Sequence, residues 1–314
     1  MLEWKKEGLI YTPSRKHFWN QTHASVPTVF KLDDERLRVY FASRDADNHC
    51  HVGFIDVAAE APSQILYEHD APILSPGKPG MFDDCGVMPS HAIDVDGEIW
   101  MYYLGWNVRN TIAYHNSIGL AISKDGGTSF EKFSEGPLFD RNYIEPYYSA
   151  TPFVLRDNEI WRMWYLSNTE WVTFQGKSEP RYHIKYAESR NGIDWYRQGQ
   201  VAIDYKDEHE FGIVRPCVIR DGDLYRMWYS YRNIQDYRSD TCNSYRIGYA
   251  ESLNAIDWHR KDDEAGIDVS EKGWDSQMIE YPFVYDHGGR RFMMYNGNTF
   301  GASGFGYATL REQQ

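Results

Sequence analysis

One phrase recurs five times along this chain. A proline leading an apolar run stands at Pro27-Thr-Val-Phe, Pro89-Ser-His-Ala-Ile, Pro152-Phe-Val-Leu, Pro216-Cys-Val-Ile and Pro282-Phe-Val-Tyr. An aromatic-rich stretch follows each proline: Val39-Tyr-Phe, Met101-Tyr-Tyr, Met163-Trp-Tyr, Met227-Trp-Tyr and Met293-Met-Tyr. A third stretch reads Val52-Gly-Phe, Ile118-Gly-Leu-Ala, Ile184-Lys-Tyr-Ala, Ile247-Gly-Tyr-Ala and Phe305-Gly-Tyr-Ala, and a fourth begins near Phe130, Trp195 and Trp258. Repeats of roughly 60 to 66 residues with four short strands predict one blade of a β-propeller each. A lone blade leaves both faces bare, so the five must close into a ring. The expected fold is all-β: a five-bladed propeller of four-stranded antiparallel blades.

The fifth copy stops at Tyr307-Ala-Thr-Leu, before a fourth strand. Its missing strand is at the other end of the chain. Leu2-Glu-Trp4-Lys-Lys-Glu-Gly8-Leu-Ile aligns with Ile193-Asp-Trp195-Tyr-Arg-Gln-Gly199-Gln-Val, the outer strand of the third repeat. The N-terminal strand should therefore complete the last blade and cover an edge that would otherwise stand unpaired. On this reading residues 1–314 form a single domain, although length alone allows two.

Composition narrows the function. Aromatic residues make up 16 % of the chain, as wedge-shaped sheets packing on broad rings require. A net charge of −13 argues against nucleic acid, whose phosphates call for a basic face. No apolar run approaches the ~20 residues of a membrane span, and the first residues lack a secretory h-region. Cys50, Cys85, Cys217 and Cys242 show no CxxC spacing and read as reduced thiols of a cytoplasmic protein.

In a propeller, the loops from outer strand to next inner strand and from second to third strand open on one face, over the channel. Here those loops stop being repetitive. One register after the second strands holds Arg44, Trp106, Asn168, Arg232 and Asn298, different hydrogen-bonding or stacking groups where a packing role would repeat one type. The loops entering the inner strands carry His17 and His23, then Asp83 and Asp84, Glu145 and Tyr148, Glu210 and Arg215, and finally Asp275 and Glu280.

Five repeats with acids at the inner-strand entrances resemble the five-bladed glycoside hydrolases of families 43, 32 and 130, which include arabinanases, β-xylosidases, invertases and mannoside phosphorylases. The resemblance spans nearly the whole chain and implies action on glycosidic bonds. Where families 43 and 32 place an Asp near the first inner-strand proline, Val26 precedes Pro27 and Thr151 precedes Pro152 here. A Glu two residues before the proline occurs on the fifth repeat, as Glu280-Tyr281-Pro282. Gly86-Val-Met-Pro89 resembles the Gly-Val-Glu-Asp-Pro stretch of the mannoside phosphorylases without its acids.

Glycosidic cleavage needs two carboxyls, one protonated and one ionised. Glu280 is the expected acid, because a place beside the channel would desolvate it and raise its pKa. Asp84 is the expected base, with Asp83, Glu145 and Glu210 in reserve; Asp83 and Asp84 also suit simple loop turning. Arg44, Arg215 and Arg232 would suit a carboxylate or phosphate on the substrate, or would pair with acids inside the loops. His23 and Tyr148 complete the expected binding set, with Trp19, Trp106, Tyr148 and Trp171 as a stacking floor. His49-Cys50-His51 matches no standard zinc spacing, and neither metal nor cofactor is expected.

The expectation is a glycoside hydrolase-like enzyme whose partner is a sugar, an oligosaccharide or a sugar nucleotide, an acidic sugar among them. Two alternatives stand beside it: a non-hydrolytic enzyme of sugar or nucleotide-sugar metabolism with an arginine-lined anion pocket, and a carbohydrate-binding propeller without catalysis.

Overall fold

The repeats become blades because alternate residues of each second strand face opposite neighbours. In the second repeat, Met101 and Tyr103 pack with Tyr40, Val52 and Phe54 of the first. Tyr102 points the other way and packs with Trp161, Met163 and Tyr165 of the third. Each strand is therefore apolar on both faces, and neither face is buried until a blade stands on either side.

A computed structural model describes residues 1–311. The last three positions of the expected domain, 312–314, lie outside the described residues. The first blade comprises Thr22–Lys31, Arg36–Arg44, Cys50–Ala58 and Ile65–Glu68. The second comprises Gly86–Val95, Glu98–Val108, Tyr114–Ser123 and Glu131–Lys132. The third has Ser149–Asp157 and two long strands, Ile160–Phe174 and Lys177–Ser189, whose outer side carries the short Trp195–Tyr196 and Val201–Ile203. Glu210–Asp221, Leu224–Asn233, Arg246–Ser252 and His259–Arg260 make the fourth. The fifth is Glu280–His287, Arg290–Asn296 and Phe305–Leu310, completed by Trp4–Tyr11 from the N-terminus. The closure expected from the sequence is what the strand pairing shows. Each inner strand touches the next, and the fifth touches the first, so the five close in a cycle. Among the described residues no helix is long and apolar enough to cross a membrane.

Two devices repeat between and within blades. In the first, a second-strand aromatic donates to a hairpin turn of the following blade: Tyr40 Oη to the Gly127 carbonyl at 3.3 Å, Tyr102 Oη to Gly192 at 2.8 Å, Trp164 Nε1 to Ala255 at 3.0 Å. The turns themselves are held by Ser123, Ser189 and Ser252, whose hydroxyls accept the N–H of those three residues. Trp228 occupies the same register in the fourth blade, and its Nε1 has no partner. The fifth blade draws its third and outer strands from opposite ends of the chain, so no turn joins them; Trp4 instead meets Trp228 edge to face at 6.0 Å.

The second device is a bulge in every inner strand. Register slips between Ser25 and Thr28, Pro89 and His91, Ala150 and Phe153, Val214 and Cys217, and Glu280 and Phe283. In four blades the residue before the proline is left-handed: φ is 57° at Val26, 41° at Thr151, 59° at Arg215 and 56° at Tyr281. Such a conformation costs a non-glycine residue about 1–3 kcal/mol. Its repetition shows that the surrounding ring holds it, and a bulge re-aims the side chains beside it. That is how Arg215 comes to point across the ring.

Candidate active site

Most of the acids at the blade entrances serve the scaffold. Asp83 accepts from Lys132 Nζ at 2.6 Å and Tyr103 Oη at 3.1 Å. Glu145 accepts from Tyr165 Oη at 3.0 Å and Arg197 Nη1 at 2.9 Å. Asp275 accepts from Lys6 Nζ at 2.7 Å and Tyr295 Oη at 3.0 Å. Glu210 takes both arms of Arg260, at 2.7 and 2.9 Å. Each acid thus lashes its entrance loop to a cation at the outer strand of the same blade, and three also hold the second-strand tyrosine. Glu145 and Glu210, expected as reserve catalytic acids, are buried members of these clips, their oxygens held by donors of their own blade. Asp84 closes its own loop, accepting the Gly80 N–H at 2.8 Å and the Cys85 thiol at 3.4 Å. Its contacts are those of the loop-turning role, and none of them reaches Glu280.

Glu280 is different. It opens the inner strand of the fifth blade, fully buried, and one oxygen has no partner. The other accepts from Asn296 Nδ2 at 3.3 Å. Asn296 Oδ1 in turn accepts the Val26 N–H at 2.9 Å, which turns the amide so that its NH2 faces the carboxyl. Burial pushes the Glu280 pKa up to about 8, against the smaller opposing pull of the Asn296 hydrogen bond and the Arg232 charge. At neutral pH the carboxyl keeps its proton, as a general acid must.

Arg232 lies beside it, inside the protein rather than lining an open pocket. Its guanidinium sits 3.8 Å from the centre of the Tyr237 ring. Its nitrogens reach Tyr182 Oη at 3.2 Å, Tyr245 Oη at 3.3 Å and the carbonyls of Asn233 and Pro180. Tyr237 Oη passes on to Glu179 at 3.2 Å, which Arg238 grips with both nitrogens. Leu104, Tyr148, Leu166 and Met278 pack with these tyrosines, and Tyr114, Trp171, Tyr281 and Phe300 lie half-buried against them. Of the residues expected to form a stacking floor, Tyr148 and Trp171 belong to this cluster. Trp19 belongs to the main core instead.

The remaining expected residues divide by partner. Arg44, half-buried at the end of its strand, forms no ion pair among the described residues, and its charge bears on His23. Burial first, then Arg44, lowers the His23 pKa to about 4, so this imidazole is neutral. Trp106 lies over Gly86, where a Cβ would strike the indole. Asn168 is buried with both amide atoms unpartnered. Asn298 is a loop clamp, accepting the Gln277 N–H at 2.7 Å and donating to the Gly273 carbonyl at 3.0 Å. Arg215 is fully buried on the axis and bonds backbone carbonyls, a correction to its expected place in an open loop.

No family model matches the chain. Two Mycobacterium tuberculosis proteins do: "Uncharacterized protein MT1551" from strain CDC 1551 / Oshkosh and "Uncharacterized protein Rv1502" from strain ATCC 25618 / H37Rv. Each is 38 % identical over 309 residues, covering 98 % of this chain and 99 % of the relative. The chain belongs to the family of these two proteins. Among solved structures, a glycoside hydrolase superposes with a TM-score of 0.73 at 16 % identity, covering 100 % of this chain and 93 % of that one. A thermostable family-43 glycoside hydrolase gives 0.64 at 19 %, covering 92 % and 88 %. The GH32 β-fructofuranosidase BmSUC1 of Bombyx mori gives 0.63 at 14 %, covering 92 % of this chain and 61 % of that one. The Rv1502 family therefore shares the fold of the glycoside hydrolase propellers.

Sequence reasoning missed Asn296, Glu179, Tyr182 and Tyr245 in this Rv1502-family site. For Asn296 a signal existed. Its register holds Ala42, Leu104, Leu166 and Ser230 in the other blades, and Glu280 stands where they have Ser25, Val87, Ala150 and Val214. Two polar exceptions to small or apolar slots, on paired strands of one blade, mark the pair.

Proposed function

We propose that this protein acts on a glycosyl substrate bound over the channel, with Glu280 donating the proton to the leaving oxygen. The observation that carries this is a buried carboxyl that keeps its proton near neutral pH, held by Asn296 on one oxygen and bare on the other. Asn296 is its positioning residue. Tyr281 and Trp171 offer ring faces for a sugar, and the Asn168 amide offers an unfilled donor and acceptor. Arg44, a half-buried guanidinium that forms no ion pair among the described residues, favours a substrate that carries a carboxylate or phosphate, such as a uronic acid or a sugar nucleotide.

Hydrolysis requires a second carboxyl to activate water. Asp84, Glu145 and Glu210 are each engaged elsewhere. That engagement favours a second reading, transfer of the glycosyl group to an oxyanion acceptor such as phosphate. The acceptor is then its own nucleophile, and one general acid suffices. Product analysis separates the two. Wild-type and Glu280→Gln protein would be incubated with aryl uronides and with α- and β-linked disaccharides, in the presence and absence of phosphate. Free sugar in both buffers indicates hydrolysis, and sugar phosphate only with phosphate indicates transfer. Binding with neither product, unchanged by Glu280→Gln, would remove catalysis from the proposal and leave a sugar-binding propeller.

A further inference from the structure

Beneath the site, on the ring axis, Arg215 carries a charge that nothing in the described protein neutralises. Its Nη1 donates to the Ser90 carbonyl, and its Nη2 to Thr28 Oγ1 at 2.8 Å and the Pro27 carbonyl at 3.3 Å. These neutral oxygens satisfy the two arms and leave Nε without a partner. The ionisable groups that bear on it are Cys217 and Tyr281, both held protonated by burial, and His91, which burial and the Arg215 charge hold neutral. No acid forms an ion pair with it among the described residues. A guanidinium does not escape burial by losing its proton at neutral pH. Buried charges without a counter-charge are rare for that reason.

Two further polar atoms are stranded beside it. Ser90, whose carbonyl Arg215 holds, has a buried hydroxyl with no partner, and His91 has a buried Nδ1 with none. The Arg215 charge acts on His91, and both lie against the Phe283 ring, at 5.7 and 6.0 Å, with the Phe153 ring 4.1 Å from the imidazole. One fixed positive charge and three unfilled polar atoms from two blades therefore lie in the same neighbourhood of the ring, around Phe283 and the Ser90 carbonyl. A carboxylate there would have been expected if the protein supplied its own counter-charge. We propose that a small monovalent anion of the halide class binds on the axis, held by Arg215 Nε–H, the Ser90 hydroxyl and His91 Nδ1–H. A neutral imidazole carries its proton on either nitrogen, and the anion selects the tautomer that donates from Nδ1. The anion would complete a tie running from the fourth blade through Arg215 to the first and second.

The test uses the whole chain. Thermal unfolding would be followed in sodium chloride and in sodium gluconate at equal ionic strength, and crystals of the wild type would be soaked in bromide. We expect a saturable rise in Tm with chloride only, and bromide anomalous density bounded by Arg215, Ser90 and His91. Ser90→Ala, a small change that should fold, would raise the half-saturating chloride concentration at least tenfold, since it removes one bond to a charged partner. Arg215→Lys tests the charge separately if it folds. A Tm indifferent to the anion with water alone at the axis would overturn the proposal. So would a chloride effect left intact by Ser90→Ala, which would place the anion elsewhere.

Discussion

Lys6 Nζ and an oxygen of Asp275 lie 2.7 Å apart, although 269 residues separate them. The lysine is on the N-terminal strand and the aspartate on the loop entering the fifth blade. The same clip is closed in other blades by a cation tens of residues downstream, as Lys132 closes on Asp83. Here it spans the seam. Lys6→Met would leave the buried Asp275 with only Tyr295, and losing one member of such a pair costs about 3 kcal/mol or more. Urea unfolding should show that loss, and deletion of residues 1–11 should leave insoluble or molten protein. A truncation of full thermal stability would show that the strand does not close the ring.

Glu280→Gln keeps the shape and removes the proton. If Glu280 is the general acid, turnover of an identified glycosyl substrate should fall by about 10²–10⁴-fold with binding retained. Glu145→Gln should do the reverse, lowering stability through its clip while leaving the rate near wild type. Equal loss of rate in both variants would contradict the division between scaffold acids and site acid.

The same carboxyl should make stability depend on pH. Its pKa is about 8 in the folded protein against an ordinary value of 4.5, so the folded state holds the proton more tightly than the unfolded one. The stabilisation this gives is fully present below pH 4.5 and is lost as pH rises through 8. Wild type should therefore lose about 1.4 kcal/mol per pH unit relative to Glu280→Gln across that window. Paired denaturation curves at pH 5 to 9 would measure it, and parallel curves would refute the raised pKa. The rate should also fall above pH 8, as the acid deprotonates.

Arg44→Met tests the substrate's charge. Losing one charge-assisted contact, worth about 1.5–3 kcal/mol, should weaken an acidic sugar by one to two decades and leave its neutral analogue unchanged. Calorimetry with glucuronate and glucose would decide. Equal effects on both ligands would return Arg44 to a purely structural role.

Trp164 and Trp228 share a register but not a hydrogen bond. Trp164→Phe removes the donor to the Ala255 carbonyl, whereas Trp228→Phe removes an indole N–H that had no partner. The first substitution should cost about 0.5–1.5 kcal/mol more than the second, because Trp258 Nε1 still serves that carbonyl. Chemical denaturation of the two variants would show whether the missing turn of the fifth blade leaves the Trp228 indole N–H without energetic weight.

The five repeats could be read from the sequence because each strand does the same packing job, and a repeated job selects repeated residues. Val39, Met101, Met163, Met227 and Met293 are all buried in their blades, and the N-terminal strand announced its place by resembling an outer strand. Glu280 was legible from its place, as an acid two residues before an inner-strand proline.

The roles of the other charged groups came from tertiary structure alone. Asp83, Glu145, Glu210 and Glu280 are all acids near an inner strand, and nothing local says which will meet a cation. That depends on Lys132, Arg197, Arg260 and Asn296, each delivered by a different strand of the closed ring. Arg215 looked like a loop residue until a left-handed bulge turned it inward, where its partners Thr28 and Ser90 lie more than a hundred residues away in the chain. Strand identity follows from short-range periodicity, which a sequence carries in itself. The state of a buried charge follows from what lies within a few ångströms of it, and only closing the ring decides that.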